Sequence, residues 1–89
     1  MDYSKLSDHE INVKVGSVIG FAAKLMAVNK QTDYCNNPAD AWQVIVENGI
    51  GIKKQSNGMW CATRQGGLYP QYHENPLRAA MVVYLQMQD

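Results

Sequence analysis

Eighty-nine residues, 46% of them hydrophobic and 18% charged, suffice for one domain with a modest core and are too apolar for a disordered chain. Eight Lys and Arg balance eight Asp and Glu, which argues against a protein that holds nucleic acid by neutralising phosphates. No apolar run approaches the ~20 residues of a membrane span, and Met1-Asp2-Tyr3-Ser4-Lys5 lacks the features of a signal peptide.

The expectation is a single domain over 1–89 that lies in the cytoplasm, with no membrane partner and with Cys35 and Cys61 both reduced. Ser7-Asp8-His9-Glu10 reads as a capping box, and Ile11, Val15, Val18 and Ile19 follow at helical spacing. This predicts a first helix over about 7–16, with Gly16 and Gly20 blurring its end. For 20–28 the periodicity leaves strand and helix both open.

Asn37-Pro38-Ala39-Asp40 opens a second helix, predicted over about 38–48, with Asn37 as N-cap, Pro38 at the first position and Asn48-Gly49 as the stop. Strand-like 50–54 and 59–63 flank Ser56-Asn57-Gly58, which predicts an antiparallel hairpin over about 50–64. Residues 65–74 read as a Gly- and Tyr-bearing connection with room for a short strand around 68–72.

Asn75-Pro76 then opens a third helix, over about 76–88. Leu77, Ala80, Met81, Tyr84 and Leu85 share one side of it, and Val82, Val83 and Met87 lie on others. A helix this apolar has little surface to leave in water. It is expected to be covered by the sheet on one face and by a second helix or a second subunit on another, the latter making a homo-oligomer through 76–88. The fold class is α+β: a small antiparallel sheet packed with three helices.

Cys35-Asn36-Asn37-Pro38-Ala39-Asp40-Ala41-Trp42, Ile45-Val46-Glu47-Asn48, Asn75-Pro76-Leu77-Arg78-Ala79-Ala80-Met81 and the opening Met1-Asp2-Tyr3-Ser4 with Leu6-Ser7-Asp8 resemble the NinX family of lambdoid phages. The order of elements is more distantly similar to the phage ABA-sandwich domain. The resemblance implies a bacteriophage accessory protein with helices packed on an antiparallel sheet. It implies no enzymatic activity and transfers no catalytic or binding residue.

Chemistry-bearing residues are few. His9, Cys35, Cys61 and His73 are not spaced in the close pairs of a structural zinc site, so no metal and no cofactor is expected. Cys35 precedes one helix start, where a dipole would favour its thiolate, and His73 precedes the other. No orienting group or oxyanion motif accompanies them, so no catalytic residue is assigned and the chain is read as a non-enzyme. Cys61 and Trp42 read as core residues.

The two Asn-Pro helix starts present Asn37 and Asn75, which either cap their own helices or, with Arg78 and Arg64 or Lys53 beside them, hold an anion. Trp60, Tyr69, Tyr72 and His73 either lid the core or stack on a base or a partner side chain. The candidate ligand-binding set is therefore Asn37, Trp60, Arg64, Tyr69, Tyr72, His73, Asn75 and Arg78. The functional expectation is counter-defence in the cytoplasm of an infected bacterium, by sequestering a small anionic nucleotide-type signal. The alternatives are a module that binds a host or phage protein, and an accessory of nucleic-acid recombination or regulation.

Overall fold

A computed structural model describes residues 2–89 and shows an α+β chain of four helices and a three-stranded antiparallel sheet. A 3-10 turn over Tyr3–Lys5 leads into α1 (Asp8–Ile19) and α2 (Phe21–Val28). Then come α3 (Pro38–Glu47), β1 (Gly51–Lys54), β2 (Trp60–Arg64), β3 (Leu68–His73) and α4 (Pro76–Gln86).

The punctuation read from the sequence is observed. Ser7 Oγ accepts from Glu10 N at 3.1 Å while Glu10 Oε1 accepts from Ser7 N at 2.9 Å, closing the capping box. Asn37 and Asn75 cap α3 and α4 through their side-chain oxygens, each followed by Pro. The hairpin loop is longer than a two-residue Asn-Gly turn. Gly58 N donates to Gln55 O at 3.3 Å, and Gly58 takes a left-handed φ of 84° that a residue with a Cβ would resist.

Three helices were expected and four are found. The ambiguous stretch 20–28 is helical: Gly20 accepts from Lys24 N while its own N–H reaches Gly16 O, so one glycine ends α1 and starts α2. The first helix also runs to Ile19 rather than 16. α2 folds back against α1 across Gly16, where an added Cβ would sit 2.8 Å from Ala23 O and 3.0 Å from Lys24 Cα. Only glycine permits that approach. The sequence periodicity was blurred here because two helices with different buried faces follow each other without a loop.

The sheet is a meander, β1-β2-β3. Opposed residues share a face, so Ile52, Ala62 and Gln71 form one cross-strand row and Lys53, Cys61 and Tyr72 another on the opposite face. Ala62 is fully buried, which identifies the first row as the side covered by α4. β3 carries one extra residue between its pairings at Leu68 and Gln71, and Tyr69 there has a φ of 54°.

α4 is the centre of the molecule. Arg78 through Leu85 are all buried, between the sheet, α1 and α3 of the same chain. Its all-round apolarity is thus accounted for within one protomer, by the second-helix reading. Of the stretch 76–88 expected to join a second subunit, 78–85 are covered within the chain, which leaves only its two ends accessible. Trp42, expected in the core, is instead 66% exposed on α3, because Ala41, Val44 and Ile45 form that helix's buried face. No helix among the described residues is long and apolar enough to cross a membrane.

Candidate functional site

The fold brings the two Asn-Pro helix starts together. Asn75 Nδ2 donates to Cys35 O at 2.7 Å and to Asn36 Oδ1 at 3.1 Å. Asn36 Nδ2 in turn donates to Asp8 Oδ2 at 3.1 Å and to the Asp33 carboxylate at 3.2 Å. Buried Asn12 accepts from Cys35 N at 3.0 Å and donates to Asp33 at 2.8 Å. The result ties the starts of α1, α3 and α4 into one polar knot.

Most of the donors an anion would need are already engaged within that knot, although Asn37 itself is exposed. Asn37 Oδ1 takes Ala39 N, and Asn75 Oδ1 takes both Leu77 N and Arg78 N. The buried Arg78 guanidinium is engaged on both sides: Nη1 pairs with Asp8 Oδ1 at 2.6 Å, and Nη2 donates to Tyr3 O at 3.2 Å and Leu6 O at 2.7 Å. Asp8 and Asp33 add negative charge at the rim.

The titration behaviour fits a structural role. Partial burial opposes the charge on Asp8, but hydrogen bonds from Arg78 and Asn36 and the guanidinium charge outweigh it and hold the carboxyl below its usual pKa. Burial, then the neighbouring Asp8 charge, pushes the Cys35 thiol up to about 12. The helix-dipole effect that the position of Cys35 would allow is outweighed: the side chain is fully buried and close to Asp8 O. His73 Nδ1 accepts from Asn75 N at 2.9 Å.

The remaining candidates lie on the sheet. Tyr72, 60% exposed, is level with Cys61 and Lys53 on the face opposite Ala62. Tyr69 and Arg64 are exposed where β2 turns into β3. Trp60 and His73 are half-buried in the row that Lys54 completes, on the α4 side. Lys54 Nζ stands 5.8 Å from the Trp60 ring centroid, so that indole face already holds a cation of its own chain. Cys61, read as core, is half-buried on the open face instead.

Charge is segregated along this boundary. Lys53, Lys54 and Arg64 lie between Glu47 and Glu74 with no carboxylate among them, leaving five Lys and Arg against eight Asp and Glu elsewhere. The sequence sets Lys53 beside Lys54 as its one tight basic cluster and near the helix starts; its place in the Tyr72 row needs the strand register. Three clefts of about 270, 240 and 320 Å³ open between helices and near the chain ends, and none of the eight candidate residues lines them. The first cleft, between α1 and α3, carries Asp40 and Glu47 and is a poor place for an anion.

Sequence reasoning also missed the outer side of α2, where Phe21 is 78% exposed. The apolar composition of 21–28 was the available signal, but it is equally that of a buried segment. No curated protein and no solved structure matches the chain. The family model described as "Bacteriophage P22, NinX" matches residues 2–88, in agreement with the resemblance carried by the Asn-Asn-Pro-Ala-Asp-Ala-Trp and Asn-Pro-Leu-Arg strings, and the chain belongs to that bacteriophage family.

Proposed function

We propose that this phage protein acts by binding and not by catalysis, and that the open face of its sheet takes an anionic, base-bearing ligand of nucleotide type. In the cytoplasm of an infected bacterium, sequestering such a signal would serve counter-defence. The observation that carries this reading is the carboxylate-free stretch from Gly49 to His73, which sets Lys53 and exposed Tyr72 in one cross-strand row. A cation attracts the phosphate, and an exposed phenol ring stacks a base for about 1–3 kcal/mol. Asn37, Asn75 and Arg78 then contribute by holding the scaffold rather than by touching ligand.

Calorimetry with cyclic dinucleotides, ADP-ribose derivatives and a short single-stranded oligonucleotide tests the reading. Saturable binding is expected for a nucleotide, weakened roughly tenfold by Tyr72→Ala and by Lys53→Ala. Tighter binding of the oligonucleotide, with a strong salt dependence, would move the reading to nucleic acid. No binding to any of them overturns it.

A second reading, docking of a host or phage protein, is favoured by Trp42 and Val46, exposed one helical turn apart on α3. Recovery of one partner from infected cells by the wild type but not by Trp42→Ala would support it.

A further inference from the structure

The cleft between α1 and α3 holds polar groups that the chain leaves without partners. Tyr84 of α4 lines it and is 8% exposed, yet its hydroxyl makes no hydrogen bond with any described residue. Tyr34 lines it too, at 6% exposed, with the buried Thr32 hydroxyl beside it in a geometry too poor for a hydrogen bond. Burial pushes both phenols up, so each stays protonated and keeps an oxygen lone pair for a ligand. α3 supplies the opposite wall. Asp40, Gln43, Val44 and Glu47 recur along it at helical spacing, which sets the two acids about 10.5 Å apart along the axis. Asp40 Oδ2 accepts from Asp33 N and Glu47 Oε1 from Gln43 Nε2, both at 2.9 Å, and the other oxygen of each carboxylate is free of the described residues. No Lys or Arg of the described residues lines the cleft or pairs with either acid.

We propose that this cleft is a second binding site, which takes a linear aliphatic polyamine with one ammonium at Asp40 and another at Glu47. Each ammonium has donors enough for a carboxylate and a phenol oxygen together. The methylenes between them lie along Val44 and the two tyrosine rings, whose faces also attract the cations. A divalent ion needs six or more oxygen ligands converging on one point, which acids two helical turns apart do not supply. A volume of about 270 Å³ is at the small end for a ligand cleft and suits a chain of roughly ten non-hydrogen atoms. No residue of the sheet lines the cleft, so an amine here and an anion beside Lys53 and Tyr72 do not compete.

Calorimetry of the full chain with spermidine, n-butylamine, a lysine tripeptide and magnesium chloride, at one fixed ionic strength, tests the site. Spermidine is expected to bind saturably at one per chain, and butylamine, which reaches one acid only, roughly tenfold more weakly or worse. Asp40→Asn and Glu47→Gln keep the internal acceptors and should each weaken spermidine roughly tenfold. Tyr84→Phe removes a hydroxyl that supports no contact within the chain. It should weaken spermidine about threefold while the thermal midpoint of the free protein stays unchanged, which keeps the test decisive if a carboxamide variant misfolds. Tyr72→Ala on the sheet should leave spermidine affinity as it is. The proposal is overturned by absence of spermidine binding, by butylamine or the tripeptide binding as tightly, or by displacement with magnesium. Unchanged affinity in Tyr84→Phe and in the folded carboxamide variants overturns it as well.

Discussion

Arg78 is a guanidinium placed in the core, and its surroundings explain how it is tolerated. One side meets the Asp8 carboxylate, which is itself 42% exposed, and the other meets two backbone carbonyls of the chain's opening turn. Arg78→Met keeps the apolar stem but takes the guanidinium donor from Leu6 O, while Tyr3 O keeps only Leu6 N. A loss of about 3 kcal/mol is expected in urea unfolding, near the low end for broken buried pairs because Asp8 can still reach water. The pH dependence follows from the lowered Asp8 pKa. The pair's contribution is fully present above the unfolded value of 3.8 and is lost as pH falls through the lower folded value. Asp8→Asn should flatten that acid limb of the stability curve. Cys35 offers a separate readout: with its thiol pushed up to about 12 and its surface buried, alkylation at mildly alkaline pH should modify Cys61 first, as peptide mass mapping would report.

The two Asn-Pro helix starts look equivalent at the level of single elements but are not. Asn37 caps α3 by one hydrogen bond, whereas Asn75 accepts two from α4 and donates two to the segment before α3. Asn37→Ala is expected to cost about 1 kcal/mol, and Asn75→Ala about 2–3 kcal/mol because buried Cys35 O loses a partner as well. Thermal unfolding of the two variants in parallel checks the ranking. Gly16 sets the spacing of α1 and α2. Gly16→Val forces backbone apart at a 2.8 Å contact and should destabilise by about 2–3 kcal/mol, with α2 becoming the first segment to exchange its amide hydrogens.

Over the whole molecule, α4 separates two kinds of surface. The sheet packs on one side of it and carries the three cations Lys53, Lys54 and Arg64, while the carboxylate excess lies in the helical part. A chain of zero formal charge is thus strongly polarised. Binding of an anionic ligand on the sheet should weaken with salt, with a slope of log K against log salt no steeper than about −2 for a single-stranded ligand, since only three cations are available. Equilibrium titrations at several salt concentrations measure it. Because the main packing of α2 is on α1, substitutions on α2 and on the sheet should act additively on stability, as urea unfolding of the single and double variants would measure.

Local chemistry was legible in the residues themselves. The capping box at Ser7 and Glu10, the Asn-Pro starts, the Gly58 turn and the hairpin all depend on side chains and backbone within a few positions of one another, so α+β class and most element boundaries follow from the sequence. Family membership was legible for the same reason, through contiguous strings around Asn37 and Asn75. What a residue faces was not. Arg78 read as an anion holder until Asp8, 70 positions away, was found to occupy it. Trp42 came to solvent because the buried face of α3 is set by α4, and Cys35 came into the core because it closes against α1 and Asn75. The free side of α2 and the Lys53–Cys61–Tyr72 row exist only once the Gly16 contact and the strand register are formed. Burial and charge neighbourhood are properties of long-range packing, and the tertiary structure alone decided them.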